Sequence, residues 1–237
     1  MTQTTCQKCL DVAGFFVNLR TDSNDLMAQR QRELIPEPAL RRLPWYLAYV
    51  SLLRERKVEY VSSTQISREL NVDASQIAKD LSLLDIRGKT RIGYEVPLLE
   101  KKLEEFLGFK RRHRAVVIGA GSLGRALMQD SGLISYGLEI VAAFDVAPAL
   151  VGTVQNGIRV YDMSALKEEM SRLGAAVGIL TVPVEYAQSA ADALIDAGVK
   201  AIWNFAPYRI SAPDGVVITN TSIYAHLAVM YNRLEGL

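Results

Sequence analysis

Apolar residues in the first half of the chain recur at the spacing of amphipathic helices. The apolar positions are Leu43, Leu47, Val50 and Leu53, then Ile66 and Leu70, and then Ile77, Leu81 and Leu84. This spacing predicts a helix over residues 39–56, a short second helix with a serine cap, and a third helix that Asp73 caps. Because the break at residues 71–73 is tight, the second and third helices indicate a helix-turn-helix.

The segment after the third helix predicts a β-hairpin and a further helix. Residues 88–96 combine glycines, basic residues and alternating apolar positions, a pattern typical of the wing of a winged-helix domain. Pro97 then begins a helix that ends at Gly108. The basic run at 110–114 is interpreted as a solvated linker between two domains.

The pattern of the second half is different. Short runs of valine, isoleucine and alanine lie at 115–119, 140–144, 177–182 and 199–203, and helical stretches lie near 123–130, 164–173 and 185–197. This alternation predicts a parallel sheet covered by helices on both faces. A last helix carries Ile223, Leu227, Met230 and Leu234 as an apolar seam, which packs either on its own domain or on a second subunit.

These patterns divide the chain into five segments of an α/β protein. They are a flexible N-terminal extension (1–34), a winged helix-turn-helix domain (35–108), a basic linker (109–114), a Rossmann-like doubly wound parallel sheet (115–220) and a C-terminal helix (221–237). Cys6 and Cys9 form a CxxC pair in the extension, but no second ligand pair follows. We therefore predict no metal site.

Composition narrows the class of protein. Apolar residues make up 49% of the 237 residues, but no apolar run approaches the roughly 20 residues of a membrane span, so we expect a cytoplasmic protein. Residues 1–114 carry 20 Lys and Arg against 15 Asp and Glu, whereas residues 115–237 carry 7 against 11. The N-terminal half is therefore the one suited to a polyanion such as DNA.

A glycine-rich motif marks the first predicted strand of the second half. The run Gly119, Ala120, Gly121, Ser122, Leu123 and Gly124 has the form GxGxxG and lies where that strand turns into a helix. In such turns the glycines permit the turn, the approach of a pyrophosphate and close packing of helix on strand. We predict a dinucleotide site here, rather than glycines that serve the turn alone.

An acidic residue favours NAD(H) over NADP(H). Asp145 lies 21 residues after Gly124, at the end of the next predicted strand, where a carboxylate accepts hydrogen bonds from an adenosine ribose. A 2′-phosphate there would meet like charge, and the following residues supply no arginine to bind it.

Two further strand ends complete the predicted crevice. Thr181, Val182 and Pro183 follow one strand, and Asn204 and Phe205 follow the next. The carboxyl ends of such strands line the ligand crevice, although loop-shaping is an equally good role for Pro183. The two histidines, His113 and His226, are not placed for proton transfer, so we predict no catalytic residue.

The order of winged helix, GxGxxG domain and terminal helix resembles the Rex family of redox-sensing transcriptional repressors. The matching motifs are residues 35–36, 42–46, 61–63, 74–77, 79–82, 93–96, 119–124, 144–145, 181–183 and 204–207. The resemblance implies a homodimer interlocked by swapped C-terminal helices, which binds operator DNA in its apo or NAD⁺ state and releases it when NADH binds.

The recognition helix departs from the family pattern. Ala78 stands where the family usually has an arginine, and residues 83–85 replace an aromatic-aromatic-glycine run. A different operator, or weaker binding, is therefore expected. Asp130 and Ser222 replace a tyrosine and an aspartate, which implies an altered contact between cofactor and dimer. The predicted DNA-facing residues are Ser75, Gln76, Lys79, Lys89 and Arg91, with Asp80 structural.

Two alternatives remain open on the sequence. One is a small NAD-dependent oxidoreductase whose N-terminal domain mediates assembly. The other is a repressor that senses a different nucleotide such as coenzyme A.

Overall fold

The structure, a computed structural model, describes residues 35–236. The predictions for the N-terminal extension and for Cys6 and Cys9 lie outside the described residues. The chain forms two compact units, of which the first ends at Leu107 and the second begins at Gly108. No helix within residues 35–236 is both long and apolar enough to cross a membrane.

The described part of the first unit, residues 35–107, contains four helices and two short strands. The helices are α1 (Glu37–Glu55), α2 (Ser63–Leu70), α3 (Ala74–Ser82) and α4 (Val96–Leu107), and the strands are β1 (Tyr60–Val61) and β2 (Tyr94–Glu95). Helix α2 begins with a capping box between Ser62 and Gln65, and the Asp73 carboxylate accepts the N–H groups that start α3. The predicted helix-turn-helix elements are all present, because each has its own cap and its own apolar stripe.

The predicted wing hairpin is present, in a short form. Lys89 and Gly93 form an antiparallel bridge with two hydrogen bonds around a turn at residues 90–92, and β2, which follows directly, also pairs with β1. Val61 and Tyr94 are both buried, so this pairing covers apolar surface that a separate hairpin would leave exposed. At Gly93, φ is +103° and a Cβ would lie 2.4 Å from the Val61 carbonyl oxygen, so only glycine fits.

The second unit is built on a seven-stranded sheet. Its strands are β3 (His113–Ile118), β4 (Leu138–Asp145), β5 (Val154–Gln155), β6 (Ile158–Asp162), β7 (Val177–Leu180), β8 (Ala201–Asn204) and β9 (Val217–Asn220). The order is β5-β6-β4-β3-β7-β8-β9, and every pair is parallel except β5 with β6. The helices are α5 (Ser122–Gln129), α6 (Gly132–Ser135), α7 (Leu166–Leu173), α8 (Ala187–Asp196) and α9 (Ile223–Glu235). The doubly wound sheet is confirmed, with an antiparallel edge that the sequence did not indicate.

The predicted basic linker, residues 109–114, is too long by two residues. His113 and Arg114 belong to β3, where they pair with Leu138 and Glu139 of β4. Both side chains are exposed at the start of the strand, and the Arg114 guanidinium donates to the carbonyl of Leu173. Charged side chains are tolerated at the end of a strand because they reach water. A run of charged residues therefore does not by itself mark the boundary between linker and strand.

Helix α9 leaves most of its large apolar side chains exposed. Ile223, Tyr224, Met230, Tyr231 and Leu234 are 48–65% exposed, and Leu227 is partly buried. Three of the four residues of the predicted apolar seam, Ile223, Met230 and Leu234, are thus left without cover by their own unit.

Candidate functional site

The glycine turn closes the gap between β3 and α5. Gly119 has φ +96°, and its carbonyl oxygen accepts a hydrogen bond from the Thr181 hydroxyl at 2.7 Å. A Cβ on Gly124 would lie 2.0 Å from that same oxygen, so α5 approaches the strand only because Gly124 has no side chain. A Cβ on Gly121 would meet nothing within 4 Å. The first and third glycines therefore build the turn, and the second leaves its outer side open to a ligand.

Asp145 holds the turn from the neighbouring strand. One carboxylate oxygen accepts the Ala120 N–H at 2.7 Å, and the other accepts the Ala147 N–H at 2.8 Å. Each oxygen keeps a lone pair for a further hydrogen bond. The carboxylate can therefore fix the loop and still accept a hydroxyl of a bound ribose.

A cavity of about 500 Å³ opens beside this turn, at the carboxyl ends of β3, β4 and β7. Its walls are Ile118, Gly119, Gly121, Phe144, Asp145, Val146, Met163, Thr181, Val182, Pro183, Tyr186, Ser189 and Ala190. Most of these side chains are apolar and Asp145 is the acidic one, a lining that suits the flat base and the ribose of an adenosine.

The structure brings half of the predicted cofactor residues into this cavity. Gly119, Gly121, Asp145, Thr181, Val182 and Pro183 line it. Ala120 lies behind the turn and contributes its N–H to Asp145. Ser122, Leu123 and Gly124 form the first turn of α5 and lie outside the lining. Asn204, the last residue of β8, and Phe205, which follows it, also lie outside the lining.

Asn204 is fully buried and has three partners of its own. Its amide nitrogen donates to the Tyr208 carbonyl at 2.6 Å and to the Asn220 side chain at 2.9 Å, and its oxygen accepts the Ala206 N–H at 2.9 Å. These bonds fix the loop after β8. Phe205 packs against the ring of Trp203, with centroids 4.6 Å apart.

Sequence reasoning missed the far wall of the cavity. Val146, Met163, Tyr186, Ser189 and Ala190 were not singled out. Met163 follows β6, a strand that the apolar pattern did not reveal, and Tyr186 precedes α8. Recognising β6 as the next parallel strand would have pointed to Met163, because its carboxyl end lies beside that of β4.

The helix-turn-helix contains a buried ionic cluster. The Asp80 carboxylate on α3 accepts two hydrogen bonds from the Arg42 guanidinium, at 2.7 and 2.8 Å, one from the Tyr46 hydroxyl at 2.8 Å and one from the Gln76 amide at 2.7 Å. Burial alone would raise the pKa of Asp80, but these hydrogen bonds outweigh it and hold the pKa below the ordinary value. Burial likewise raises the pKa of the Tyr46 hydroxyl. The cluster joins α3 to α1.

The predicted DNA-facing residues fall into two groups. Ser75, Lys79, Lys89 and Arg91 are exposed. Gln76 is half-buried, and its amide nitrogen is engaged with Asp80. Asp80 itself is 1% exposed, in agreement with its predicted structural role.

A helix-turn-helix with a basic wing, joined to a nucleotide-type cavity on a doubly wound sheet, defines the class of ligand-responsive transcription regulators. Family models agree: "Putative DNA-binding protein N-terminus" matches residues 34–82, and "CoA binding domain" matches residues 110–208. The redox-sensing transcriptional repressor Rex of Bacteroides fragilis is 55% identical over 90% of this chain and 96% of its own. The chain belongs to the Rex family of redox-sensing transcriptional repressors.

Comparison with solved structures also shows similarity to a Rex-family repressor, RSP. RSP in complex with β-NAD⁺ and operator DNA is 33% identical, with a TM-score of 0.82 over 86% of this chain and 94% of that one. RSP in complex with β-NADH is also 33% identical, with a TM-score of 0.77 over 86% and 95%. The relatives are repressors, and the alternative of an oxidoreductase is set aside.

Proposed function

We propose that this chain is a transcriptional repressor that senses the ratio of NADH to NAD⁺, binding operator DNA in its apo or NAD⁺ state and releasing it when NADH binds. The observation that carries the proposal is the likeness, over 86% of the chain, to a repressor solved with β-NAD⁺ and operator DNA. We place this function in the cytoplasm, where both the DNA and the pool of NADH and NAD⁺ lie. We place the winged helix at residues 35–107, the Rossmann-like sheet at 113–220 and the terminal helix at 221–237; the division of the chain after Leu107 and the start of β3 at His113 support these bounds.

The site residues divide between the two ligands. For NAD(H) they are Gly119, Ala120, Gly121, Ser122, Leu123, Gly124, Asp145, Thr181, Val182, Pro183, Asn204 and Phe205, and for DNA they are Ser75, Gln76, Lys79, Lys89 and Arg91. The cavity would take the adenosine half, and the N-terminus of α5 would face the pyrophosphate. Bound NAD(H) serves as a signal, and no residue is assigned to chemistry on it.

The test is a titration of the protein on DNA from upstream of its own gene, at one fixed salt concentration. NADH is expected to bind more tightly than NAD⁺ and to release the DNA. If both nucleotides bind and the affinity for DNA does not change, the switch is absent and the proposal fails.

The identity of the nucleotide follows from Asp145. The 2′-phosphate of NADPH and the 3′-phosphate of coenzyme A would both lie near its carboxylate, and such like-charge pairs cost several kcal/mol. We expect NADPH and coenzyme A to bind the site at least about tenfold more weakly than NAD(H) does. Competition measured by NADH fluorescence checks this. Equal displacement by coenzyme A would instead favour the repressor that senses another nucleotide.

We propose that the active form is a homodimer that exchanges its α9 helices. The exposed apolar side chains of α9 require an apolar surface to pack against. An apolar hollow of about 210 Å³ lies on the face of the sheet that carries Trp203, and we propose that the α9 helix of the second subunit packs there. The hollow is lined by Val177, Ala201, Ile202, Trp203, Val217 and Thr219.

The double substitution Met230→Glu with Leu234→Glu is expected to convert the dimer to a monomer, because two carboxylates would have to be buried. Sedimentation equilibrium measures the mass. The control is Asn232→Glu on the same exposed helix, which adds charge and removes no apolar contact. A double variant that remains a dimer would contradict an interface through α9.

A further inference from the structure

Two large apolar side chains are exposed at the mouth of the nucleotide cavity. Val146, directly after β4, is 75% exposed, and Tyr186, directly before α8, is 59% exposed. Both line the cavity, whereas Ile118 and Phe144 in the same lining are almost completely buried. Exposed apolar surface at the rim of a cavity is typical of a place that a ligand covers.

The sheet places these two side chains at a spacing that suits a flat ring. Strand β3 lies between β4 and β7, and Tyr186 belongs to the segment that follows β7. Neighbouring strands lie about 4.8 Å apart, so the ends of β4 and β7 are separated by about 10 Å. A planar base needs about 7–8 Å, because carbon atoms in contact lie about 3.5–4.0 Å apart on each of its faces. Residues that follow β4 and β7 can therefore contact both faces of one base.

The backbone around both side chains is fixed by hydrogen bonds. The Tyr186 N–H donates to the Pro183 carbonyl at 3.1 Å, and the Tyr186 carbonyl accepts the Ser189 hydroxyl at 3.1 Å. Val146 lies within the turn that the Asp145 carboxylate closes with a hydrogen bond of 2.8 Å. The backbone that carries both side chains is thus in place before the nucleotide binds, which lowers the entropy cost of binding.

We propose that Tyr186 and Val146 hold the adenine base of the nucleotide between them, and that this contact sets the concentration range of the sensor rather than its preference for NADH. The adenosine half is identical in NADH and NAD⁺, so a contact with the base contributes equally to both affinities. An equal contribution to both does not change which form is preferred. The inference rests on the proposed function, in which the cavity takes the adenosine half.

The variant Tyr186→Ala tests the proposal by fluorescence titration with NADH and by competition of NADH with NAD⁺ and AMP. We expect all three dissociation constants to rise by the same factor, about tenfold, because AMP carries the base but no nicotinamide. Val146→Ala is expected to raise the same three constants about threefold, since less apolar contact is removed. At saturating NADH, the variant Tyr186→Ala should release DNA as completely as the wild type does.

Two control variants separate stacking on the base from a structural role. Tyr186→Phe keeps the aromatic ring and should restore all three affinities to within about twofold of the wild type. Val184→Ala changes an exposed apolar side chain of the same short helix, residues 184–186, that does not line the cavity. This variant should bind the three nucleotides as the wild type does. Because Val146, Val184 and Tyr186 are exposed, we expect none of these substitutions to change the melting temperature.

The outcomes distinguish the inference from the proposed function. If Tyr186→Ala binds NADH, NAD⁺ and AMP like the wild type, while NADH still releases the DNA, the inference is wrong and the repressor function stands. A loss for NADH without a loss for AMP, or losses for NADH and NAD⁺ that differ by more than about threefold, would also overturn it. If the wild-type protein binds neither NADH nor AMP, the proposed function is wrong and the inference falls with it.

Discussion

Replacing Asp80 by alanine is expected to destabilise the N-terminal unit by about 3–5 kcal/mol and to abolish DNA binding. The carboxylate receives four hydrogen bonds from Arg42, Tyr46 and Gln76, and it is 1% exposed. Its removal leaves the Arg42 guanidinium, 22% exposed, without its partner, and it releases α3 from α1. Chemical denaturation followed by helical circular dichroism measures the loss of stability.

The control is Asp73→Ala on the same helix. Asp73 is an exposed N-cap that accepts the N–H groups of Ser75 and Gln76, and such caps contribute only about 1 kcal/mol. Both variants should bind NADH with wild-type affinity, since the cavity lies in the other unit. An Asp80→Ala variant as stable as the wild type would show that the cluster is dispensable.

The contribution of Asp80 also depends on pH. Because its pKa is lower in the folded protein, the stabilisation is present above the ordinary carboxyl range near pH 4 and is lost as the pH falls through the folded pKa. The wild-type unit should therefore lose stability in acid more steeply than the Asp80→Ala variant does.

Gly121→Val is expected to weaken NADH binding by at least about 100-fold while leaving the free energy of unfolding unchanged. Its φ of −70° is open to valine, and a Cβ there meets nothing within 4 Å. The isopropyl group would occupy the space that a pyrophosphate needs to approach the turn. Calorimetric titration with NADH, beside a denaturation curve, separates the two effects.

Gly124→Val provides the contrast. Its Cβ would lie 2.0 Å from the Gly119 carbonyl oxygen, so this variant should lose both NADH binding and stability. The Gly121→Val protein should remain on operator DNA when NADH is added. Release of the DNA by NADH at wild-type concentrations would mean that the nucleotide does not lie against this turn.

The sequence alone determined the elements whose signals are local. The spacing from Leu43 to Leu53 encodes α1, Asp73 caps α3, and the glycines at 119, 121 and 124 define the turn from β3 to α5. Each of these signals lies within one element or one turn, so periodicity, capping and glycine chemistry suffice to detect it. Asp145 lies on the next strand, and the sequence pointed to it because its distance from the glycine turn is characteristic of dinucleotide-binding domains.

Only the tertiary structure decided which distant residues meet. Asp80 and Arg42 are 38 positions apart, and nothing in either local sequence announces the hydrogen bonds that join them. The pairing of β1 with β2, the inclusion of His113 and Arg114 in β3, and the far wall of the cavity at Met163 and Tyr186 likewise depend on chain segments that packing brings together. Side-chain hydrogen bonds and strand pairing between remote segments carry no periodic trace along the chain, so they become visible only once the chain is folded.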